Sequence, residues 1–481
     1  MPTRLSHLIG GQPVPPAGGD WLEVEDPATT DIHALCPAGD ASDVDAAVAA
    51  AAAAQPTWSG MPPSWRAGWL NRLADALQAR AADFARAESL DAGKPLRLAT
   101  EIEIPRAVAN LRFFAAAALQ FASESHHGEA GLNYTLRPPL GVVACISPWN
   151  LPLYLFTWKI APALAAGNCV VAKPSEVTPL TAWMFGELAR EVGLPDGVLN
   201  IVHGRGPDIG PALVEHPQVA GVSFTGSTAV GREIAARCAP LLKKVSLELG
   251  GKNPALVFAD APRARLVDTL VRSAFQNSGQ ICLCTSRLLV QRAAYDEVRD
   301  ALVEAVGRLR VGDPLHDGIH LGPLVSRPHF DKVMGHLSLA REEGARVLAG
   351  GDRVEATGRC ARGRFIAPTL LEGLGPDART NTEEIFGPVL TLQAFDDEAD
   401  ALRLANAGDY GLAANVWTGD LAGAHRVAAG VRAGITWVNT WMLRDLRTPF
   451  GGLGRSGLGR EGGLEAMRFF TDPRNICLSL E

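Results

Sequence analysis

Cys282 stands in FQNSGQICLCTSR (275–287), in a Gly-containing turn between a helix-like and a strand-like stretch. A sulfur nucleophile must be accessible and deprotonated, and turn N–H groups or the positive charge of a cofactor favour the thiolate. A lone cysteine is as often a buried structural thiol, and spacing leaves both readings open. In VSLELGGKNP (245–254), Glu248 closes a strand and two glycines follow shortly after. Ligands bind at the carboxyl ends of strands in parallel sheets, so this carboxylate is a candidate general base; a solvated or salt-bridged strand end is the plainer alternative. Asn150 lies at a strand-to-helix junction in ISPWNLPLYLF, with Pro152 in the first turn. Its amide either caps that helix or donates to a developing oxyanion.

Three further segments suit a dinucleotide. Lys173 and Glu176 in VVAKPSEVTP follow a strand, where an acidic residue binds ribose hydroxyls and repels a 2′-phosphate. FTGSTAVG (224–231) offers Gly226 and Ser227 at a helix start, a seat for pyrophosphate, though a weak signal alone. GLGRSG (452–457) satisfies G-x-G-x-x-G, yet no βαβ unit surrounds it, so it is not taken as a cofactor site. The eleven histidines show no paired metal spacing and Cys282-Leu283-Cys284 is no zinc ribbon, so no metal is expected.

These residues need a scaffold. Apolar runs GVVACIS, NCVVAKP, VLNIVHG, GVSFTGS and KKVSLEL begin at 141, 168, 198, 221 and 243, one βα unit apart. They lack strict alternation, as strands buried on both faces should, and predict a parallel, doubly wound sheet. After Gly251 a second series follows: ALVFAD, a helix to about Asn277, LLVQ, helices over 293–309 and 328–344, then VLTLQAF, ANVWT and ITWVN. Upstream, Ser42-Asp43-Val44-Asp45 reads as a capping box opening a helix, and helical spacing runs through Trp65–Glu88 and Glu101–Leu119. The stretch 121–140 and the last fifteen residues read as partly extended, a candidate oligomerisation element.

Composition fits a soluble α/β protein of several lobes. Of 481 residues, 47% are hydrophobic and 20% charged, which excludes a disordered chain. A net charge of −7 without basic blocks argues against nucleic acid or an anionic membrane as partner. The alanine run 46–54 is half a membrane span and the N-terminus lacks a signal-peptide core. Eight scattered cysteines fit a reducing compartment, so a cytoplasmic protein is expected.

In combination, SPWN, AKPSE, FTGST, LELGGKNP, GQIC, EEIFGPV (383–389) and PFGGLGRSGLGREGG (449–463) resemble the aldehyde dehydrogenases, in family order and over nearly the whole chain. The resemblance implies an NAD-binding domain over 1–120 and 141–250, a catalytic domain over 251–455, and oligomerisation elements at 121–140 and 456–481. It also implies a homo-oligomer, a dimer or tetramer. Cys282 would be the nucleophile, Glu248 the base, and Asn150 would share the oxyanion hole with the Cys282 N–H. Trp149, Lys173, Ser175, Glu176, Gly226 and Ser227 would hold the adenosine and pyrophosphate, with Glu384 and Phe386 at the nicotinamide half. Glu176 points to NAD over NADP.

Within the family, the wording around GQICLCTSR, LRDLRTPFGG and LRFF is most similar to 2-aminomuconic and 2-hydroxymuconic 6-semialdehyde dehydrogenases. Family geometry turns Arg106 and Arg444 into the aldehyde tunnel, where guanidinium groups would take a substrate carboxylate. Leu151, Tyr154, Trp158 and Phe450 would line the tunnel; an aromatic helix face is also ordinary core. The plain alternatives pair Arg106 with Glu103 and Arg444 with Asp445 or solvent; Arg112 and Arg447 are weaker candidates, and Cys284 reads as a pocket wall. Three rival readings remain: a neutral aliphatic, aromatic or betaine-type aldehyde as substrate, a coenzyme-A-acylating enzyme, and a non-catalytic scaffold. Glu248 speaks against the second, since thiol acceptors need no water-activating base, and an intact Cys282, Glu248 and Asn150 against the third.

Overall fold

In the computed structural model, which describes residues 1–480, the five apolar runs form five strands: β1 (Val142–Ile146), β2 (Cys169–Lys173), β3 (Leu199–Ile201), β4 (Val219–Thr225) and β5 (Lys244–Glu248). All are parallel, in the order β3-β2-β1-β4-β5. β1 and β2 are buried throughout, as strands covered by helices on both faces must be. Chain direction reverses its spread between β1 and β4, and that switch point opens a crevice beyond the carboxyl ends of the strands. Antiparallel strands extend the sheet at both edges, His7–Ile9 with Gln12–Val14 beside β3, and Gly457–Leu458 beside β5.

A second sheet holds β6 (Asn253–Val257), β7 (Thr285–Gln291), β8 (Arg346–Ala349), β9 (Thr369–Glu372), β10 (Val389–Phe395), β11 (Ala413–Trp417) and β12 (Ile435–Val438), in the order β8-β9-β10-β7-β6-β11-β12. Only β8 runs antiparallel to its neighbour. β8 and β9 lie in stretches where no strand is predicted, because short runs such as RVLA and TLLE carry too little periodicity.

Other differences are local. The first long helix, Ala41–Gly60, is capped by Asp40 with Asp43 closing the box, two residues upstream of the Ser42–Asp45 expectation. Asp43 is buried, accepts from Ala17 N at 3.1 Å and lies 3.4 Å from His7 Nε2, so it belongs inside rather than in an open first turn. The 65–88 spacing covers two helices, Pro63–Ala79 and Ala81–Ala92, parted at Arg80. A π-turn, Ala99–Glu103, precedes the helix Ile104–Gln120. Ser125–His127 and Gly131–Leu136 form a hairpin that Arg474–Ser479 extends to three strands. Earlier in 456–480, Gly457–Leu458 pairs with β5, and the helix Gly463–Phe469 packs against the helix Pro152–Ala165.

Candidate active site

Three loops converge at the crevice. The chain leaves β1 at Ile146, and Asn150 comes just before the helix Pro152–Ala165, whose N-terminal proline needs no N–H partner. Glu248 ends β5, opposite Thr225 on one side and Gly457 on the other. Cys282 lies between the turn Gln276–Gly279 and β7.

Cys282 lines the wall between two cavities. On one side a cavity of about 240 Å³ is lined by Trp149, Asn150, Gly226, Ser227, Glu384 and Phe386, among others. On the other, a tight space of about 20 Å³ is lined by Leu151, Tyr154, Trp158, Glu248, Arg444 and Phe450. Arg444 and Phe450 also face an open vestibule of about 900 Å³, where Arg106 joins them. Lys173, Ser175 and Glu176 lie outside these spaces, at the carboxyl end of β2. There Lys173 Nζ is 3.2 Å from Glu176, the Ser175 hydroxyl accepts from Val177 N, and Thr178 Oγ1 reaches the Trp149 carbonyl at 3.4 Å.

The 240 Å³ crevice sits where a dinucleotide binds in doubly wound sheets, with Gly226 and Ser227 opening the helix Thr228–Cys238. Ser227 caps that helix, its hydroxyl accepting from Val230 N at 3.3 Å. Trp149 and Phe386 meet edge to face at 5.4 Å, and Glu384 Oε1 accepts from Gly251 N at 2.8 Å. A Cβ on Gly250 would come within 2.3 Å of the Glu384 carboxylate, so the first glycine of the pair after Glu248 keeps that side open. The residues present fit a nicotinamide dinucleotide. His329 and Lys332, on the helix Arg327–Glu342, also line this cavity and were missed, since a polar helix face carries no sequence signal for it.

Burial sets the protonation states. The Glu248 carboxyl is driven well above the usual carboxylate range, first by desolvation and then by the nearby Glu461 charge. Among the described residues neither of its oxygens finds a hydrogen-bond partner. Burial likewise pushes the Cys282 thiol up to about 12, with Glu248 and Glu384 adding to it and Arg444 opposing. Glu461 is held by Lys159 Nζ at 2.8 Å and by the Ser223 hydroxyl at 3.0 Å. A lysine within the apolar run LFTWKIAPALA was a readable sign of such a buried partner. The glycine-rich 449–463 segment also has a local purpose: Gly451 has φ +151°, and a Cβ there would lie 2.6 Å from Glu248 Oε1.

Asn150 uses one amide hydrogen on the Gln280 carbonyl at 3.0 Å, which leaves the second for a ligand. It does not cap its helix through the side chain. Cys284 is buried, with Sγ 3.8 Å from the Gln276 carbonyl. In the vestibule, Arg444 donates to the Tyr154 hydroxyl at 3.1 Å, and Arg106 lies 5.6 Å from the centre of the Tyr154 ring. Among the described residues neither arginine forms a salt bridge. Glu103 faces Lys94 instead, and Asp445 pairs with Arg447. Arg112 is paired with Asp75 at 2.9 Å, away from the vestibule lining. No group of three or more metal-ligating side chains, and no helix long and apolar enough to cross a membrane, occurs among the described residues.

Comparison with known proteins agrees with this geometry. Residues 14–476 match the model of the aldehyde dehydrogenase family. The chain is 47% identical over 478 residues to 2-aminomuconic semialdehyde dehydrogenase of Danio rerio, covering 98% of each chain. It is 45% identical over 484 residues to 2-hydroxymuconic semialdehyde dehydrogenase of Pseudomonas sp. (strain CF600), covering 99% of this chain and all of the other. An NAD+ complex of aldehyde dehydrogenase from Bacillus cereus superposes with a TM-score of 0.96 at 36% identity, covering 99% of this chain and 97% of that one.

Proposed function

The chain belongs to the aldehyde dehydrogenase family, oxidoreductases that act on aldehydes with NAD, and we propose that Cys282, Glu248 and Asn150 perform that oxidation on a carboxylate-bearing semialdehyde. The observation that carries the reading is the position of Cys282 in the wall between the crevice at the carboxyl ends of the parallel strands and a narrow space lined by Glu248 and Arg444.

An aldehyde entering from the vestibule meets Cys282 Sγ beside Glu248. The sulfur attacks the carbonyl carbon, and the new alkoxide is met by the free amide hydrogen of Asn150 and the backbone N–H of Cys282. One such donor is worth about 3–4 kcal/mol in the transition state. When bound, NAD supplies an acceptor for two electrons and a ring charge that favours the thiolate. Trp149, Lys173, Ser175, Glu176, Gly226, Ser227, Glu384 and Phe386 would hold it. The former aldehyde carbon would give up its hydrogen with the C–H electron pair to that acceptor, leaving a thioester on Cys282. Glu248, whose carboxyl burial holds above the usual carboxylate range and which is the stronger base for it once ionised, takes a proton from water, and the hydroxide releases the carboxylic acid.

Arg106 and Arg444 support the semialdehyde reading. Two guanidinium groups without carboxylate partners face one vestibule, and both would pair with a carboxylate at the far end of the substrate. Leu151, Trp158 and Phe450 supply the apolar wall of the passage. The substrate class is then that of 2-aminomuconic or 2-hydroxymuconic 6-semialdehyde, from the cleavage of aromatic rings. NADH formation from an unsaturated six-carbon semialdehyde acid, against a neutral aromatic aldehyde, tests it; equal kcat/KM values would count against it.

Residues 1–120 with 141–250 serve as the cofactor domain and 251–455 as the catalytic one. The arm at 121–140 with Arg474–Ser479 has an open strand edge suited to a second copy of the chain, as in a homotetramer. All eight cysteines are free, in keeping with a cytoplasmic setting. Sedimentation of the intact chain tests the assembly.

A further inference from the structure

Lys94 is buried, with 1% of its surface exposed, and its ammonium has three acceptors around it. Nζ lies 3.1 Å from Glu88 Oε1, 3.5 Å from Glu103 Oε2, and donates at 3.2 Å to the backbone carbonyl of Asn150. Two of its three N–H bonds are used on hydrogen bonds, and the Glu103 carboxylate lies within ion-pair distance of the same ammonium. Charged groups are rarely buried so completely unless they are paired, as Lys94 is here.

What is held is the peptide of Asn150. Its carbonyl takes a second hydrogen bond from Asn277 Nδ2 at 3.1 Å, and its side-chain amide donates to the Gln280 carbonyl. Asn277 and Ser278 are both left-handed, with φ of 53° and 54°, a conformation that side chains adopt only under constraint. The Cys282 loop and the Asn150 loop are thus fastened to each other, and Lys94 fastens the pair to the rest of the molecule. Glu103 ends the π-turn Ala99–Glu103, three residues before Arg106. One ammonium therefore ties together the Asn150 peptide and the start of the helix that carries a vestibule arginine.

We infer that Lys94 is a positioning residue for the reaction: balanced by Glu88 and Glu103, it fixes the Asn150 peptide so that the side-chain amide is aimed at the oxyanion formed on Cys282. The inference rests on Asn150 being that oxyanion donor. A displacement of about 1 Å in such a group costs on the order of 10²-fold in rate.

The test is a double-mutant cycle on the full chain, read as the rate of Cys282 acylation by 4-nitrophenyl acetate, an ester that needs neither NAD nor the proposed substrate. Lys94→Met is expected to slow acylation roughly 10–100-fold while NAD affinity, titrated separately, changes little, and to add almost nothing in an Asn150→Ala background. If Lys94→Met folds poorly, the triple variant Lys94→Met, Glu88→Gln and Glu103→Gln removes the buried charges together and enters the same cycle. Equal losses in both backgrounds would overturn the positioning role while leaving Asn150 as donor. Unchanged acylation in Asn150→Ala would overturn both.

Discussion

Arg444 lays its guanidinium 4.1 Å from the centre of the Phe450 ring, at the point where the open vestibule narrows toward Cys282. Trp158 is 5.5 Å away on another side and the Tyr154 hydroxyl is in hydrogen-bond contact. Aromatic faces steady the cation without neutralising it, so its charge stays available to an incoming anion. The neighbouring carboxylate, Asp445, is occupied by Arg447.

Arg444→Met and Arg106→Met are each expected to lower kcat/KM for a carboxylated semialdehyde about 10–100-fold, the loss of a charge-assisted hydrogen bond. A neutral aldehyde should be spared. Steady-state kinetics on both substrates checks this, and parallel losses would remove the clamp.

The pH dependence follows from Glu248. Its pKa is raised, so the carboxylate proposed to activate water is absent at low pH and forms as pH rises through that elevated value. Turnover should therefore climb with pH along a limb lying above the ordinary carboxylate range. Glu248→Gln should remove the limb and lower kcat by 10²-fold or more, on the order expected for a general base.

Without NAD, alkylation of Cys282 by iodoacetamide should be slow at neutral pH and still rising through the alkaline range, because burial holds the thiol at about 12. Mass spectrometry of the labelled peptide reads the rate. A fast, pH-independent reaction at neutrality would show a thiolate already present.

Glu176 sits beside Lys173 at the end of β2, and a negative charge there disfavours a 2′-phosphate. Glu176→Gln is expected to raise kcat/KM with NADP relative to NAD by about tenfold, equivalent to ~1.4 kcal/mol.

Gly451→Ala places a methyl against Glu248 Oε1 in a backbone region that favours glycine. A fall in kcat with cofactor affinity preserved is expected, together with destabilisation of about 1–3 kcal/mol. Calorimetry and NAD titration separate the two effects.

Much of this was legible in the chain. β1 to β5 announce themselves as apolar runs at βα spacing, and strand ends at Ile146, Lys173 and Glu248 place their following residues at the crevice. What stayed hidden depends on contacts distant in sequence. Glu461 meets Lys159 across 302 positions, and Lys94 reaches Asn150 across 56. No local period records such pairs. GLGRSG (452–457) satisfied a phosphate-loop pattern without its context, and the local reason for the glycine just before it became visible only when Gly451 lay against Glu248. Arg106 and Arg444 were readable as types, but their want of carboxylate partners needed the positions of Lys94 and Arg447.

The central claim is that Cys282 carries the acyl group and Glu248 releases it. Rapid mixing of Glu248→Gln with NAD and aldehyde, followed by acid quench and peptide mass spectrometry, tests it most directly. A burst of NADH matching the enzyme concentration and an acyl adduct on the Cys282 peptide are expected. No burst, or an adduct on another residue, would contradict it.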